Sequence, residues 1–368
     1  MTEDHDLAAA LIGDRDVTGK DRLAFGGGGT ATVARQERAT SMDVARRAGV
    51  HQSTVSRALG QGANVAAATR ERVQAAAREL DYTPDAIARS LITRRTALVG
   101  IVVAGLSSPF QPYVLEKFVH RLSEARLRTL VFGVPPGGEV DDVLATALEY
   151  RPAALIITSA GLASERIEAC VRQGTPVVLF NRTLPGSSAS AVCCDNAGSG
   201  RMAADLLVEC GGRRFAYLAG SADSSTNRDR RAGYLARLAE LGVGDVREER
   251  GSYDYESGYA ATRRLLDGRG EPGRPDALFC ASDILALGAR DAARDAAVRV
   301  PDELGIVGFD DIPMAAWAPY DLTTIRQPVD EMIAGTLAVI RGGSGEPVSQ
   351  LLPGELVERG STRPRAPR

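Results

Sequence analysis

Short apolar runs alternate with amphipathic segments from residue 97 onward, and this alternation constrains the fold more than any other feature of the chain. Continuous apolar strands separated by helices are typical of parallel sheets that are covered on both faces. The runs that predict strands are 98–104 (LVGIVVA), 129–134 (TLVFGV), 154–159 (ALIITS), 176–180 (PVVLF), 215–220 (FAYLAG), 277–282 (ALFCAS) and 305–311 (GIVGFDD). The sequence therefore predicts an α/β core that holds two such sheets.

The segment before this core has a helical pattern and is locally basic. Residues 39–96 hold nine arginines against five acidic residues, although the whole chain carries a formal net charge of −3. Nucleic-acid binding depends on local positive charge and not on the total. We therefore expect a nucleic-acid partner at this end of the chain.

Two short helices joined by a tight turn are predicted at residues 40–59. Gly49 lies between them, and a glycine lets the chain reverse sharply. Thr40 can cap the first helix, with Asp43 in the first turn where an acid is favoured. A third helix is expected to cover the first two through Val73, Ala76, Ala77 and Leu80. The second helix exposes polar groups that can reach base edges and phosphates, namely Gln52, Ser53, Thr54, Ser56 and Arg57.

A small helical hairpin with a polar face is the alternative interpretation of this pattern alone. The continuation favours the helix-turn-helix, because Pro84 can start another short helix, over 84–91, that is too short to be stable by itself. Residues 1–38 are polar and aperiodic, so we expect a flexible extension. Their glycine run, 26–29, follows no strand, which favours a linker over a phosphate-binding loop.

Composition limits the location and the chemistry of the protein. No apolar run approaches the roughly 18 residues that span a bilayer, and the N-terminus is acidic, so we expect neither a membrane partner nor a secretory signal but a cytoplasmic protein. No metal or cofactor is expected. The cysteines have no CxxC spacing and are interpreted as reduced core thiols: Cys170, Cys193, Cys194, Cys210 and Cys280. Oxidation sensing by the vicinal Cys193 and Cys194 is the alternative to simple packing.

Ordered sequence motifs resemble the lactose/galactose repressor family from about residue 40 to about residue 360. They are DVARRAGV, STVSRAL, TRERV, ELDYTPDAIARSL and LVGIVV, followed by NRTLPG, CCDNAGSGRMAADLL, FAYLAGS, RDRRAGY, ASDILALGA, VPDELGIVGFDD and LTTIRQP. The resemblance implies an N-terminal all-α helix-turn-helix domain with a hinge helix, followed by a two-lobe α/β core like that of periplasmic binding proteins, with parallel sheets. It also implies a hinge helix that folds on the operator and wedges a leucine into the minor groove.

The resemblance places this wedge at Leu91, with Ala88 and Arg89 beside it. An apolar wedge kinks DNA, and the wider contact offsets the cost of unstacking. His51 and Asp85 depart from the family pattern, which has Ser and Asn there; His51 can still meet a phosphate, and we prefer a capping role for Asp85 over repulsion of a phosphate. The predicted DNA-contacting residues are Thr40, His51, Gln52, Ser53, Thr54, Ser56, Arg57, Asn64, Ala88, Arg89 and Leu91.

The same resemblance implies an effector site between the two core lobes. It places an effector-clamping arginine at Arg230 and a hydroxyl-accepting acid at Asp310. The full predicted set is Phe110, Asn181, Arg228, Arg230, Tyr253, Ser282 and Asp310. Such a set suits a sugar-like polyol, because fixed donors and acceptors orient it and an aromatic surface covers its C–H face. Surface ion pairs for the arginines and a loop-capping role for Asp310 are the alternatives.

An enzyme is disfavoured. Asp310 and Asp311 could form paired carboxylates, but none of the three histidines lies near these strands in the sequence. A solute-binding sensor is the stronger rival for the core, and the attached DNA-reading segment argues against it. We therefore predict a homodimeric transcription regulator, a repressor, that binds a near-palindromic double-stranded operator under the control of a carbohydrate-like effector.

The predicted boundaries follow from these assignments. They are an extension at 1–38, the helix-turn-helix at 39–83, hinge and linker at 84–96, the core at 97–362 and a tail at 363–368. Within the core, the N-lobe is predicted at about 97–195 plus 325–340, and the C-lobe at about 196–324 plus 341–362.

Overall fold

A computed structural model describes residues 39–60, 65–83, 96–106, 108–135, 138–158, 164–267, 273–343 and 346–363. The chain forms two compact units, divided between Ile92 and Thr93. The predicted extension, most of the hinge and most of the tail lie outside the described residues, as do Asn64, Ala88, Arg89 and Leu91.

The described part of the N-terminal unit contains three helices: α1 (Ser41–Ala48), α2 (Gln52–Leu59) and α3 (Ala67–Glu79). Thr40 caps α1 in a reciprocal capping box with Asp43, as the sequence predicts. Gly49 ends α1 with φ +63°, a left-handed conformation that favours glycine. The three helices enclose one small apolar core formed by Val44, Ala45, Ala48, Val55, Ala58, Val73, Ala76 and Ala77.

The first sheet of the larger unit contains six parallel strands in the order β11-β5-β4-β3-β1-β2. Its strands are β1 (Leu98–Val103), β2 (Arg128–Gly133), β3 (Ala154–Ile157), β4 (Val177–Phe180), β5 (Ser190–Cys194) and β11 (Ser349–Leu352). Four helices accompany it: α4 (Phe110–Glu124), α5 (Val140–Glu149), α6 (Ser164–Arg172) and α11 (Val329–Gly342). Ile101 packs on the side of α4 and Val102 on the side of α5, so β1 is buried on both faces.

The second sheet also contains six strands, in the order β12-β10-β9-β8-β6-β7, with only β12 antiparallel to its neighbour. Its strands are β6 (Phe215–Ala219), β7 (Val246–Arg250), β8 (Ala277–Cys280), β9 (Gly305–Asp310), β10 (Thr323–Arg326) and β12 (Glu355–Val357). Its helices are α7 (Asn196–Glu209), α8 (Ser225–Glu240), α9 (Tyr255–Leu266) and α10 (Asp283–Asp295), with a 3-10 turn at Pro313–Ala316.

The predicted fold class is confirmed: a helical N-terminal unit precedes a two-sheet α/β core, and each predicted apolar run contains a strand. We call the first sheet with its helices the N-lobe and the second the C-lobe. The predicted lobe boundaries need correction near the C-terminus. Residues 349–352, which the prediction gave to the C-lobe, pair with β5 in the N-lobe, and residues 325–326, given to the N-lobe, belong to β10 of the C-lobe.

Two glycines allow helices α7 and α8 to cross in close contact. A Cβ atom on Gly200 would overlap the carbonyl oxygen of Arg230, and one on Gly233 would overlap that of Ala197. Neither neighbour can yield easily, because both are helix backbone. This close crossing fixes the position of Arg230 relative to the first turn of α7.

Substitution of Gly233 by alanine tests this crossing. Gly233→Ala should lower the free energy of unfolding of the core by about 1–3 kcal/mol, because the helices must separate to admit the methyl group. Urea titration followed by circular dichroism measures the change. Gly244→Ala is the matched control, since a Cβ there meets nothing within 4 Å. Equal stability of the two variants would contradict the close-packing argument.

Candidate effector cavity and DNA-reading helix

Helix α2 presents a polar face to solvent. Gln52, Ser53, Ser56 and Arg57 are exposed, while Val55 and Ala58 of the same helix are buried in the small core. This division follows from the helical period, which turns every third or fourth side chain inward. Thr54 is half-buried. The predicted base- and phosphate-reading residues of α2 therefore share one accessible side of the N-terminal unit.

Two of the predicted DNA-contacting residues serve as helix caps. His51 precedes α2, and its Nδ1 accepts a hydrogen bond from the backbone N–H of Ser53 at 3.3 Å. The Thr40 hydroxyl donates to a carboxylate oxygen of Asp43 at 2.7 Å. Both side chains remain at the surface, but their first structural role is to satisfy helix ends.

A cavity of about 280 Å³ lies between the two lobes. Part of its polar wall lies at strand ends: Thr158 and Asn181 come directly after β3 and β4, and Asp310 ends β9. The carboxyl ends of parallel strands are where open α/β sheets bind ligands. The wall is completed by Ala104, Gly105, Ser108, Phe110, Gln111, Arg182, Ser221, Ser224, Thr226, Arg230, Ser252, Tyr253 and Asp254.

Arg230 is the most constrained side chain of this wall. It is 2% exposed, and its Nε donates to Oδ1 of Asn196 at 2.8 Å while Nη1 donates to the carbonyl oxygen of Ala281. Its Nη2 lies 3.9 Å from a carboxylate oxygen of Asp310. The guanidinium also stacks on the ring of Phe309, 3.4 Å from the ring centroid. A buried charge needs this degree of compensation.

Two carboxyl groups of the C-lobe are buried: Asp310 beside this arginine, and Asp283 in the first turn of α10. Asp310 accepts from Nε2 of Gln327 at 2.6 Å. Asp283 accepts from the hydroxyl of Thr324 at 2.5 Å and from the backbone N–H of Ile312 at 2.9 Å. Burial raises the pKa of Asp310 to about 6, against the opposing effect of Arg230, and burial together with the charge of Asp310 raises the pKa of Asp283 to about 8.

Three of the nine described residues other than glycine that have a positive φ angle line the cavity. Asn181, Tyr253 and Asp310 adopt positive φ angles of 54°, 58° and 120°, which residues other than glycine rarely adopt. Such conformations persist when the surroundings enforce them, and they cluster at functional sites. The Tyr253 ring also occupies the space that a Cβ on Gly220 would fill.

The structure brings five of the seven predicted effector residues together on the cavity wall, namely Phe110, Asn181, Arg230, Tyr253 and Asp310. Arg228 does not belong there, because residues two apart on a helix point in different directions; its side chain is 56% exposed and pairs with Asp229 at 3.2 Å. Ser282 is also absent from the wall. It is buried at the start of α10, and its hydroxyl has no hydrogen-bond partner among the described residues.

Sequence reasoning missed several residues of the wall, and Arg182 is the most consequential. Arg182 directly follows Asn181 in the NRTLPG motif, so the missed residue is the sequence neighbour of a predicted one. The hydroxyls of Thr158, Ser224 and Thr226 were also missed. Small polar residues at strand and helix ends are too common in sequences to single out without the fold.

The cysteines carry no disulfide in the described part of the chain. Burial raises the pKa of Cys193 to about 12 and that of Cys194 to about 11. A thiol with a raised pKa is a poor nucleophile, so packing explains this pair better than oxidation sensing does.

Among the described residues, no helix combines the length and apolar character that a membrane crossing requires.

A helix-turn-helix unit joined to a two-lobe core with an interlobe cavity defines a ligand-responsive DNA-binding protein. Comparison with known families supports this class. Residues 40–85 match the model of bacterial regulatory proteins of the lacI family, and residues 204–362 match that of a periplasmic binding protein-like domain. The transcriptional regulator GalS of Salmonella typhimurium is 34% identical over 312 residues, which cover 83% of this chain and 90% of GalS. The chain belongs to the LacI family and is a transcription regulator, not an enzyme.

Solved structures agree with this assignment. A crystal structure of the lac repressor dimer bound to operator and the anti-inducer ONPF has a TM-score of 0.80 at 27% identity, covering 89% of this chain and all of that one. A complex of the transcriptional regulator CelR with cellobiose has a TM-score of 0.64 at 31% identity, covering 88% of this chain and 100% of CelR. The predicted family resemblance is therefore confirmed.

The buried carboxyl groups predict an unusual dependence of stability on pH. A carboxyl group whose pKa is raised on folding keeps its proton in the folded chain after the unfolded chain has lost it, so stability falls as pH rises from about 4 to the folded pKa. Asp283→Asn should remove this loss. The stability of the wild type relative to the variant should fall by on the order of 1 kcal/mol per pH unit between pH 5 and 8.

Urea titrations at four pH values measure this difference. Asp302→Asn is the control, because its carboxylate is largely exposed and its neighbour is Arg299. A constant difference between the wild type and Asp283→Asn across this pH range would contradict a raised pKa at Asp283.

Proposed function

We propose that this regulator is a repressor whose affinity for an operator is controlled by a small, hydroxyl-rich effector bound between the core lobes. One observation carries the proposal: the same chain has an exposed polar face on α2 and an interlobe cavity whose wall contains the buried Arg230. The relatives support it, since one solved structure holds operator and another cellobiose. A solute-binding sensor would need the cavity but not the exposed face of α2.

Operator recognition requires two copies of the chain. One helix-turn-helix offers too little contact for tight binding, whereas a two-fold dimer places two α2 helices on successive major grooves and selects a near-palindromic site. The hinge residues Ala88, Arg89 and Leu91, which lie outside the described residues, would add a minor-groove wedge between them. We place the homodimer in the cytoplasm, together with the bacterial DNA that it would bind.

The effector would act by changing the balance between two lobe arrangements. The lobes already meet at the cavity, where the backbone N–H of Thr183 in the N-lobe donates to the hydroxyl of Ser225 in the C-lobe at 3.1 Å. A ligand that contacts both walls binds one arrangement better than the other and shifts their populations by its differential affinity. Arg230 and Asp310 would orient the hydroxyls, and Phe110 or Tyr253 would cover an apolar face.

Selection of operators from random DNA with the purified protein tests the DNA-binding part of the proposal. We expect enrichment of near-palindromic sites. Arg57→Ala should weaken binding to the selected operator and reduce the slope of log affinity against log salt by about 1, as expected for loss of one phosphate contact. Arg299→Ala, an exposed arginine of the C-lobe, is the control. Absence of any enriched site in a dimeric preparation would refute operator recognition.

A screen of metabolites for changes in operator affinity tests the effector part. Arg230→Gln should abolish the response to an active compound and leave operator binding in its absence within a few fold, because Arg230 lies in the core and not on α2. Arg228→Gln should respond normally, since that side chain lies outside the cavity. Circular dichroism would confirm that both variants fold. A normal response in Arg230→Gln would exclude this cavity as the effector site.

A further inference from the structure

Arg182 stands out because its charge has no carboxylate partner in the part of the chain that the structure describes. Its Nη2 donates to the carbonyl oxygen of Thr158 at 2.9 Å, but its Nε is buried without a hydrogen-bond partner. Across the described ranges, no carboxylate lies within ion-pair distance of this guanidinium. Burial lowers the pKa of Arg182 to about 10, which still leaves the group charged at neutral pH.

The other charged groups of the wall are already compensated. Arg230 and Asp310 face each other, and Gln327 also donates to Asp310. Asp254 caps helix α9 by accepting from the backbone N–H of Ser257 at 2.7 Å. Among the described residues, Arg182 is therefore the cation of this wall without a carboxylate partner, and leaving a half-buried charge unmatched costs stability unless something else satisfies it.

The surrounding backbone adds positive potential to the same space. Helix α4 begins at Phe110 and α8 follows Ser224, and both of these residues line the cavity, whereas the N-terminus of α9 is already capped by the Asp254 carboxylate. The N-terminus of a helix carries a partial positive charge and favours anions. The hydroxyls of Ser221 and Thr226 supply further polar groups to the wall.

We infer that the effector is an anionic polyol, a compact sugar-like molecule with one carboxylate or phosphate group bound by the Arg182 guanidinium. This inference rests on the proposed function, whose effector it narrows from neutral sugars to sugar acids or sugar phosphates. The cavity of about 280 Å³ is near the lower end of the range for small-molecule sites, which suits a monosaccharide skeleton. Arg230 and Asp310 then hold the hydroxyl end, while Arg182 holds the charged end.

Inorganic phosphate is the first probe, because it needs no knowledge of the natural effector. Thermal unfolding of the full chain is measured in sodium phosphate and in sodium chloride of equal ionic strength. Phosphate should raise the melting temperature of the wild type more than chloride does, and Arg182→Gln should lose this additional rise. Arg231→Gln, which removes an arginine paired with Glu248 on the outer side of α8, should keep it. Equal phosphate effects in the wild type and Arg182→Gln would overturn the inference.

Matched sugars then distinguish the two anionic sources. Glucose, gluconate and glucose 6-phosphate are titrated into the wild type and Arg182→Gln by calorimetry. Any of the anionic compounds that binds the wild type should bind Arg182→Gln roughly ten- to a hundredfold more weakly, the loss expected for a charge-assisted contact. Tighter binding of glucose than of both anions, unchanged in Arg182→Gln, would count against the inference.

Failure of this inference can be separated from failure of the proposed function. A protein that selects an operator and responds to a neutral sugar independently of Arg182 would keep its function as a repressor and refute the anionic effector. A protein that binds the anions through Arg182 but selects no operator would support the anionic ligand and refute the function as a repressor.

Discussion

The buried Arg230 guanidinium is the interaction around which the C-lobe wall of the cavity is arranged. Its contacts reach the start of α7 through Asn196, the end of β8 through the Ala281 carbonyl, and the end of β9 through Asp310 and Phe309. Each contact would be costly to leave unmade, because the charge is removed from water. The arginine therefore fixes three separate chain segments around one point, and that point lies on the cavity wall.

The glycine crossing of α7 and α8 makes this arrangement possible. Gly200 and Gly233 allow the helix backbones to approach until no side chain separates them, which brings Asn196 within 2.8 Å of the Arg230 Nε. Small residues at a helix crossing usually save space for packing. Here the close approach has a second consequence, because it orients the Arg230 guanidinium toward its acceptors on Asn196 and Ala281. Packing of two helices thereby determines the chemistry of the cavity.

Much of this fold could be predicted from the sequence because most of the central strands are continuously apolar. Such strands are typical of a sheet that is covered by helices on both faces. Five strands escaped prediction: β7, β11 and β12 at sheet edges, and the short interior strands β5 and β10. Strand β7, with the sequence VREER, lies at the edge of the second sheet, and its charged side chains are not those of a buried strand. Strand β11 was placed in the wrong lobe because its pairing with β5 depends on contacts between residues far apart in the sequence.

The site was predictable only where a residue's role follows from the motif that contains it. Arg230 and Asp310 were found in this way, whereas the neighbouring Arg228 was included on the same motif and faces solvent. Arg182 was missed because its motif does not reveal what surrounds the side chain. That an arginine lies in a cavity wall without an acidic neighbour is a three-dimensional property, and it emerges only when the ends of β3 and β4 are brought side by side.

The placement of these two arginines suggests why effector binding would be coupled to lobe movement. Arg182 belongs to the N-lobe and Arg230 to the C-lobe, so a ligand with a charged end and a hydroxyl end must contact both lobes to satisfy both groups. A ligand that contacted only one of these arginines would bind the open and closed arrangements almost equally and would leave their populations unchanged. Because the two cations belong to different lobes, the binding of a ligand that contacts both depends on the distance between the lobes.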